Sequence, residues 1–180
     1  MMGEIRTGRA PGRRAAAVAT ALTLLAAVAG CGRDGGSGGT PAGEAAARQS
    51  AVASRGASVM PFDLERTTHR FVKTVAGGVQ TVVADAPTAA DQVVLVQRHL
   101  QGEADRFRRG DFTDPARIHG DAMPGLATLR ESAGRLTVTY QATADGGRIT
   151  YASTERAVVA ALHAWFDAQV GDHGAHAEGD

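Results

Sequence analysis

The chain of 180 residues has one cysteine, Cys31, and aromatic residues make up only 4% of it. A single cysteine excludes an internal disulfide, so a folded domain must depend on its apolar core. The few aromatic residues also argue against a stacking surface for carbohydrate or nucleic acid. Lysine plus arginine equals aspartate plus glutamate at 19 each. Without a basic surface to neutralise phosphates, we expect no nucleic-acid partner.

No apolar run in the sequence is long enough to span a bilayer. The longest, residues 15–29, falls short of the ~20 residues that a transmembrane helix needs. It follows a basic start and leads into a run of small residues, Val28-Ala29-Gly30, directly before Cys31. This order is typical of a bacterial lipoprotein signal peptide with its lipobox. We therefore predict that residues 1–30 are removed and that the Cys31 thiol carries the lipid.

Lipidation of Cys31 predicts where the protein resides. Each buried methylene contributes ~0.8 kcal/mol, and the two or three chains of a bacterial lipoprotein, palmitate among them, anchor it stably. The membrane is then a partner, and the domain lies at the outer face of the cell membrane or in the envelope. The basic residues Arg13 and Arg14 leave the choice between general and twin-arginine export open. The alternative, a free cysteine ending a buried helix, would place the chain elsewhere.

Composition divides the mature chain into three parts. Residues 31–59 are rich in glycine, alanine and serine, and they predict a flexible tether. Residues 60–171 carry the apolar patterning and predict a single domain. Residues 172–180 contain histidine, acidic residues and glycine, and they predict a polar tail.

Hydrophobic periodicity in residues 60–171 predicts two hairpins, each followed by a helix. Residues 68–75 and 79–84 form the first hairpin, and helical spacing from Thr88, a candidate cap, to residue 109 follows it. After two short helices, residues 135–141 and 148–152 alternate as a second hairpin, and a helix starts at Thr154. This order predicts an α+β fold, a small antiparallel sheet with helices packed on one face.

Four phrases of the sequence form a recognisable set: Met60-Pro61-Phe62-Asp63-Leu64-Glu65-Arg66-Thr67-Thr68-His69, Phe107-Arg108-Arg109-Gly110-Asp111-Phe112, Ile118-His119-Gly120 and Ala161-Leu162-His163-Ala164-Trp165-Phe166-Asp167. Together they resemble a short bacterial family that is often labelled aspartate carbamoyltransferase. The label implies carbamoyl transfer to aspartate. True carbamoyltransferases are two-domain α/β enzymes with a Ser-Thr-Arg-Thr-Arg phosphate loop at a helix start. Residues 65–70 match that loop only in part and lead into a predicted strand, so the resemblance supplies no catalytic residue.

Histidine is the residue type that suggests chemistry here, because all six histidines lie between His69 and His176. Neutral imidazole is the commonest metal ligand, and thioether beside imidazole suits copper. We predict a copper or zinc site formed by His119 with Met123, or by His163, His173 and His176. The alternative interpretation is purely structural: Met123 is then a packing residue, and His119 and His163 form structural hydrogen bonds. His69 and His99 are predicted to be surface or border residues.

Other catalytic patterns are missing from the sequence. No glycine-rich phosphate loop precedes a helix, no Gly-x-Ser-x-Gly elbow occurs, and a lipidated Cys31 cannot act as a nucleophile. The leading hypothesis is a non-enzymatic, lipid-anchored extracytoplasmic domain that binds a transition metal. An interaction module for another envelope protein, without cofactor, is the main alternative, and carbamoyltransferase activity comes third.

Overall fold

The computed structural model describes residues 40–180, and in this part of the chain five helices pack with a five-stranded sheet. The helices are α1 (Pro41–Val59), α2 (Ala90–Arg108), α3 (Thr113–His119), α4 (Leu126–Arg130) and α5 (Arg156–His173). The strands are β1 (Thr67–Thr74), β2 (Gly77–Ala84), β3 (Thr137–Thr143), β4 (Gly146–Ala152) and β5 (Ala177–Gly179). The predicted α+β class and the order of two hairpins, each followed by helix, are confirmed.

The sheet is mixed, whereas the sequence predicted an antiparallel one. Its order is β3-β4-β2-β1-β5, and the first four strands pair antiparallel. The short strand β5 pairs parallel to β1, from His69 opposite Ala177 to Phe71 opposite Gly179. The parallel pair requires α5 to return the chain along the sheet, which local periodicity does not encode.

Burial alternates along the strands, so the two faces of the sheet differ. Phe71, Val82 and Ile149 point to one face and are almost completely buried. On the other face Arg70 and Thr150 are exposed, as is Val72 with 47% of its surface. Helices α2 and α5 contact the sheet and cover the buried face. The prediction that helices pack on one face is therefore confirmed.

The core centres on Trp165 of α5, which is 1% exposed. The rings of Phe107, Phe112 and Tyr151 lie edge-on to it, with centroid separations between 5.9 and 6.0 Å. Edge-to-face pairs at such distances contribute ~0.5–1.5 kcal/mol beyond their buried area. The few aromatic residues of the chain are thus concentrated in one cluster.

Helix α1 corrects the predicted tether of residues 31–59. Thr40 caps its first turn by accepting a hydrogen bond from the Gly43 amide at 3.2 Å, and Pro41 occupies the first turn, where no backbone donor is needed. Val52 is fully buried, and α1 contacts α3 and α5. The sequence concealed this because a helix of small residues needs only a narrow contact stripe, centred here on Val52 and Gly56.

The predicted polar tail, residues 172–180, is also folded. Helix α5 continues to His173, a 3-10 turn spans Gly174–His176, and β5 joins the sheet edge. The Asp180 carboxylate accepts a hydrogen bond from the Lys73 amide at 3.0 Å. Polar composition predicted solvation, but backbone pairing to β1 orders the segment.

Three further predictions concern the cap of α2, a membrane-spanning helix and the N-terminal residues. Helix α2 begins after Ala89 without a side-chain cap, so Thr88 is not the predicted cap. Between residues 40 and 180, no helix combines the length and the apolar character needed to cross a bilayer. The predicted signal peptide, Cys31 and residues 31–39 of the tether lie outside the described residues.

Candidate functional site

A small cavity lies between the sheet, α2, α3, α5 and the end of α1. It measures about 40 Å³, and four imidazoles from four different elements line it: His69, His99, His119 and His173. One water needs ~10–15 Å³, so the cavity has room for a few waters or one ion.

Local structure directs each imidazole inward. His69 alternates with Phe71 on the buried face of β1, and His99 precedes the buried Leu100 on α2. His119 and His173 are the last residues of α3 and α5, and each is followed by a glycine with positive φ, 94° at Gly120 and 56° at Gly174. The two helices therefore end at the cavity, each with a histidine in its last turn.

Asp172 fixes the orientation of His119. Its carboxylate lies 2.8 Å from His119 Nδ1 and also accepts a hydrogen bond of 2.9 Å from Arg48 of α1. Burial would raise the pKa of Asp172, but the hydrogen bonds from Arg48 and His119 outweigh it and hold that pKa below its usual value. An ionised carboxylate only accepts hydrogen bonds, so His119 carries its proton on Nδ1 and its Nε2 lone pair is free.

Three imidazoles form a row from this pair. The rings of His119 and His173 lie edge to face with centroids 5.1 Å apart, and the ring of His69 stacks on His173 at 5.1 Å. His69 is 4% exposed, and within residues 40–180 its Nδ1 has no hydrogen-bond partner. A buried polar atom without a partner is costly, by ~1–3 kcal/mol, and here it lies in a cavity wall.

Burial keeps the imidazoles uncharged near neutral pH. It lowers the pKa of His99 and of His173 to about 4, and it lowers the pKa of His69 well below the ordinary value. For His119 burial also lowers the pKa, although the Asp172 carboxylate opposes the change. Neutral imidazole is the form that ligates metals, so protons do not compete for these nitrogens at pH 7.

The wall nearer α2 carries a second polar group. Glu103 is 4% exposed and forms an ion pair with Arg106, which also contacts Asp114 at 2.8 Å. Burial raises the pKa of Glu103 to about 7, and Arg106 limits the rise. In the described residues, the buried indole nitrogen of Trp165 has no hydrogen-bond partner either. The cavity therefore combines imidazole, carboxyl and indole groups within an apolar core.

Two of the five predicted metal ligands meet at the cavity. His119 and His173 lie in the row just described, and both are buried. Met123 is buried in the core at 4% exposure but does not line the cavity, whereas Met60, at the end of α1, does. The thioether that lines the cavity with the imidazoles is therefore that of Met60, and Met123 has the packing position that the alternative interpretation gave it.

The other two predicted ligands lie elsewhere. His163 Nε2 is 2.8 Å from the Gly77 carbonyl oxygen and 3.1 Å from that of Thr74, at the turn between β1 and β2. His176 pairs at the surface with Glu65, at 3.2 Å. Of the predicted group of His163, His173 and His176, His163 therefore lies apart, whereas His173 and His176 line one surface pocket.

Sequence reasoning missed His69 and His99. The alternation of β1 could have identified His69, since it shares a face with the apolar Phe71. His99 adjoins Leu100 and lies four residues before the buried Glu103, on the edge of the apolar stripe of α2. The predicted surface or border position is wrong for His69, which is 4% exposed, whereas His99 is half-buried, as expected of a border residue.

The imidazoles lie near one another without converging on one point. Among residues 40–180, no set of three His, Cys, Asp or Glu side chains has the geometry to hold an ion. The rings of His69 and His173 are stacked with an interplanar angle of 10°, so their nitrogen lone pairs lie in nearly parallel planes. A shared ion therefore requires one of these two rings to turn.

Comparison of the chain with protein-family models, with curated proteins and with solved structures yields no match. The segment that partly matches the carbamoyltransferase phosphate loop has structural roles in this fold. Arg66 pairs with Asp91, and the Thr67 hydroxyl donates to the Asp63 carbonyl at 2.9 Å. This segment enters β1 and does not precede a long helix.

Proposed function

We propose that this protein binds a transition metal ion, copper or zinc, in the histidine-lined cavity. His69, His119 and His173 are its ligands, and Asp172 orients His119 from behind. The observation that carries this proposal is the row of three neutral imidazoles, which starts at the Asp172 carboxylate and ends at the unpartnered His69 Nδ1.

The carboxylate behind His119 supports a metal ligand. Metal-binding histidines almost always donate their other ring N–H to a carboxylate or carbonyl, which sets the tautomer and raises ligand basicity. The same pair could serve a general base. The cavity volume of about 40 Å³ suits an ion, and the neighbouring imidazoles of His173 and His69 favour the metal-binding role.

Met60 favours copper over zinc. Its side chain is 7% exposed and lines the cavity together with the histidines. Thioether is a soft ligand that selects Cu(I), and imidazole accepts both copper and zinc. A site with three imidazoles and one thioether should therefore bind copper more tightly than zinc, in the oxidation state in which the ion arrives.

We further propose that the metal-binding domain is lipid-anchored and extracytoplasmic. This rests on the basic start, the short apolar run and the small residues before Cys31. Lipid attachment is tested by incorporation of labelled palmitate into the wild-type protein and into Cys31→Ser. We expect label in the wild type only, and label retained by Cys31→Ser would refute the assignment.

The metal site is tested with the full chain carrying Cys31→Ser, which removes the only thiol that could compete for copper. Trp165 is the only tryptophan and lines the cavity, so bound Cu(II) should quench its fluorescence. We expect saturation at one ion per chain. Parallel titrations with Cu(I) and Zn(II), each against a competing chelator, then rank the metals.

Matched variants identify the ligands. His119→Ala and His69→Ala should each abolish saturable quenching, and Asp172→Asn should weaken affinity by ~10–100-fold, as loss of an outer-shell partner does. His163→Ala is the control, because this histidine contacts backbone carbonyls away from the cavity. The metal-site proposal is refuted if all variants bind like the wild type, or if the wild type binds no tighter than an unrelated histidine-bearing protein. Either result favours the alternative, an interaction module for another envelope protein.

A further inference from the structure

Two surface pockets flank the cavity, and His176 belongs to both. One of about 260 Å³ includes Gln49, Asp172 and His173, and the other, about 420 Å³, includes Met60 and Glu65. Both are lined by residues of α1 and by Leu64 of the segment before β1. A buried ion site needs an entry path, and these pockets lie outside the cavity wall.

Each surface pocket shares only one residue with the cavity wall. His173 lines the cavity and the smaller pocket, whereas Met60 lines the cavity and the larger one. The residue shared on each side therefore carries a side chain that can itself ligate a soft or borderline metal. An ion could pass inward by exchanging ligands, without crossing a purely apolar barrier.

His176 and Glu65 stand at the outer end of this path. His176 Nε2 lies 3.2 Å from Glu65 Oε1, and the side chains are 35% and 79% exposed. They come from separate elements, the 3-10 turn after α5 and the 3-10 turn before β1. Two residues separate His176 from His173, and both histidines line the smaller pocket.

We propose that His176 and Glu65 form a surface capture site that binds the metal ion first and passes it to His173 at the cavity wall. This inference rests on the proposed function of the cavity. It makes His176 a ligand during entry, distinct from the ligands that hold the ion at equilibrium. Imidazole and carboxylate together suit Cu(II) or Zn(II), the hydrated ions that arrive from solution.

The test is the rate of Cu(II) loading into the full Cys31→Ser chain, followed by stopped-flow quenching of Trp165. Glu65→Gln removes a negative charge that attracts the cation, and His176→Ala removes the first ligand. We expect each variant to lower the loading rate by about 10-fold. Because the final ligands are unchanged, the equilibrium dissociation constant should shift by less than about 2-fold, and dissociation should slow in parallel. His163→Ala serves as the control with an unchanged rate.

Three other results would overturn the capture site. An unchanged loading rate in both variants would overturn the capture site and leave the cavity site standing. An equilibrium loss in His176→Ala as large as that in His119→Ala would make His176 a permanent ligand, which also overturns capture. Absence of saturable quenching in the wild type would refute the cavity site itself, and the capture site with it.

Discussion

His99 shows how one half-buried side chain couples the stability of this fold to pH. It lines the cavity and meets the ring of Phe62 edge-on at 5.5 Å. Burial lowers its pKa, and that of His173, to about 4 from an ordinary 6.5. Between these values the unfolded chain binds protons that the folded chain does not, so stability falls as pH falls.

We predict that the free energy of unfolding decreases between pH 7 and pH 5. Each of these two histidines contributes a loss of ~2 kcal/mol over this interval. Glu103 acts in the opposite direction, since its pKa is raised to about 7 and its protonation on acidification stabilises the fold. It offsets roughly one histidine, so a net loss remains.

His99→Gln tests the origin of this pH dependence. We expect urea unfolding to show a difference between pH 7 and pH 5 that is ~2 kcal/mol smaller in the variant than in the wild type. Equal pH dependence in the two proteins would mean that His99 titrates freely in the folded state.

At the scale of the element, α1 is part of the folded unit through one apolar residue and several polar contacts. Val52 is fully buried, Arg48 pairs with Asp172, and Arg55 Nε donates to the Ile118 carbonyl at 2.5 Å. These contacts join α1 to α3 and α5 near the cavity. A protein shortened to begin at Met60 would lose them.

Val52→Ala should therefore destabilise the protein by ~2 kcal/mol, from lost burial and the cavity left behind. Val94→Ala on α2 is the matched control, since Val94 is 53% exposed and the same change there should be near neutral. Urea denaturation measures both. Equal small effects would show that α1 detaches from the domain in solution.

The start of α4 depends on a glycine. Gly125 has φ of 76°, and a Cβ there would lie 2.0 Å from the Ala161 carbonyl oxygen of α5. Gly125→Ala should thus cost more than ~2 kcal/mol, because both the backbone and α5 must shift.

Gly102 on α2 is the control for that change. A Cβ at Gly102 would meet no atom within 4 Å, and alanine is the better helix former by ~1 kcal/mol. We expect Gly102→Ala to raise the thermal midpoint and Gly125→Ala to lower it. A lowered midpoint in both would point to a general intolerance of larger residues.

For the molecule as a whole, residues 40–180 should unfold as one cooperative unit. The first and last elements of this part of the chain, α1 and β5, both contact elements that form the cavity, and Trp165 lies at the centre of the core. Trp165 fluorescence and far-ultraviolet circular dichroism should therefore give coincident urea transitions. An earlier transition by circular dichroism would indicate that α1 unfolds separately.

The sequence alone determined the α+β class, the two hairpins and the helices α2 and α5, because alternation and helical spacing are local properties of the chain. The burial of Val138 and Tyr151 can be predicted from the apolar residues two positions away on the same strand. Lipidation of Cys31 stays a prediction from sequence, since the described residues begin at residue 40.

Tertiary structure decided the helical state of α1, the parallel pairing of β5 and the membership of the histidine cavity. Each depends on contacts between residues far apart in sequence, such as Arg48 with Asp172, or Ala177 opposite His69. His69, His119 and His173 come from three elements, and no local pattern sets their relative positions. Long-range packing brings them together, because the local sequence around a residue does not determine which distant residues it contacts.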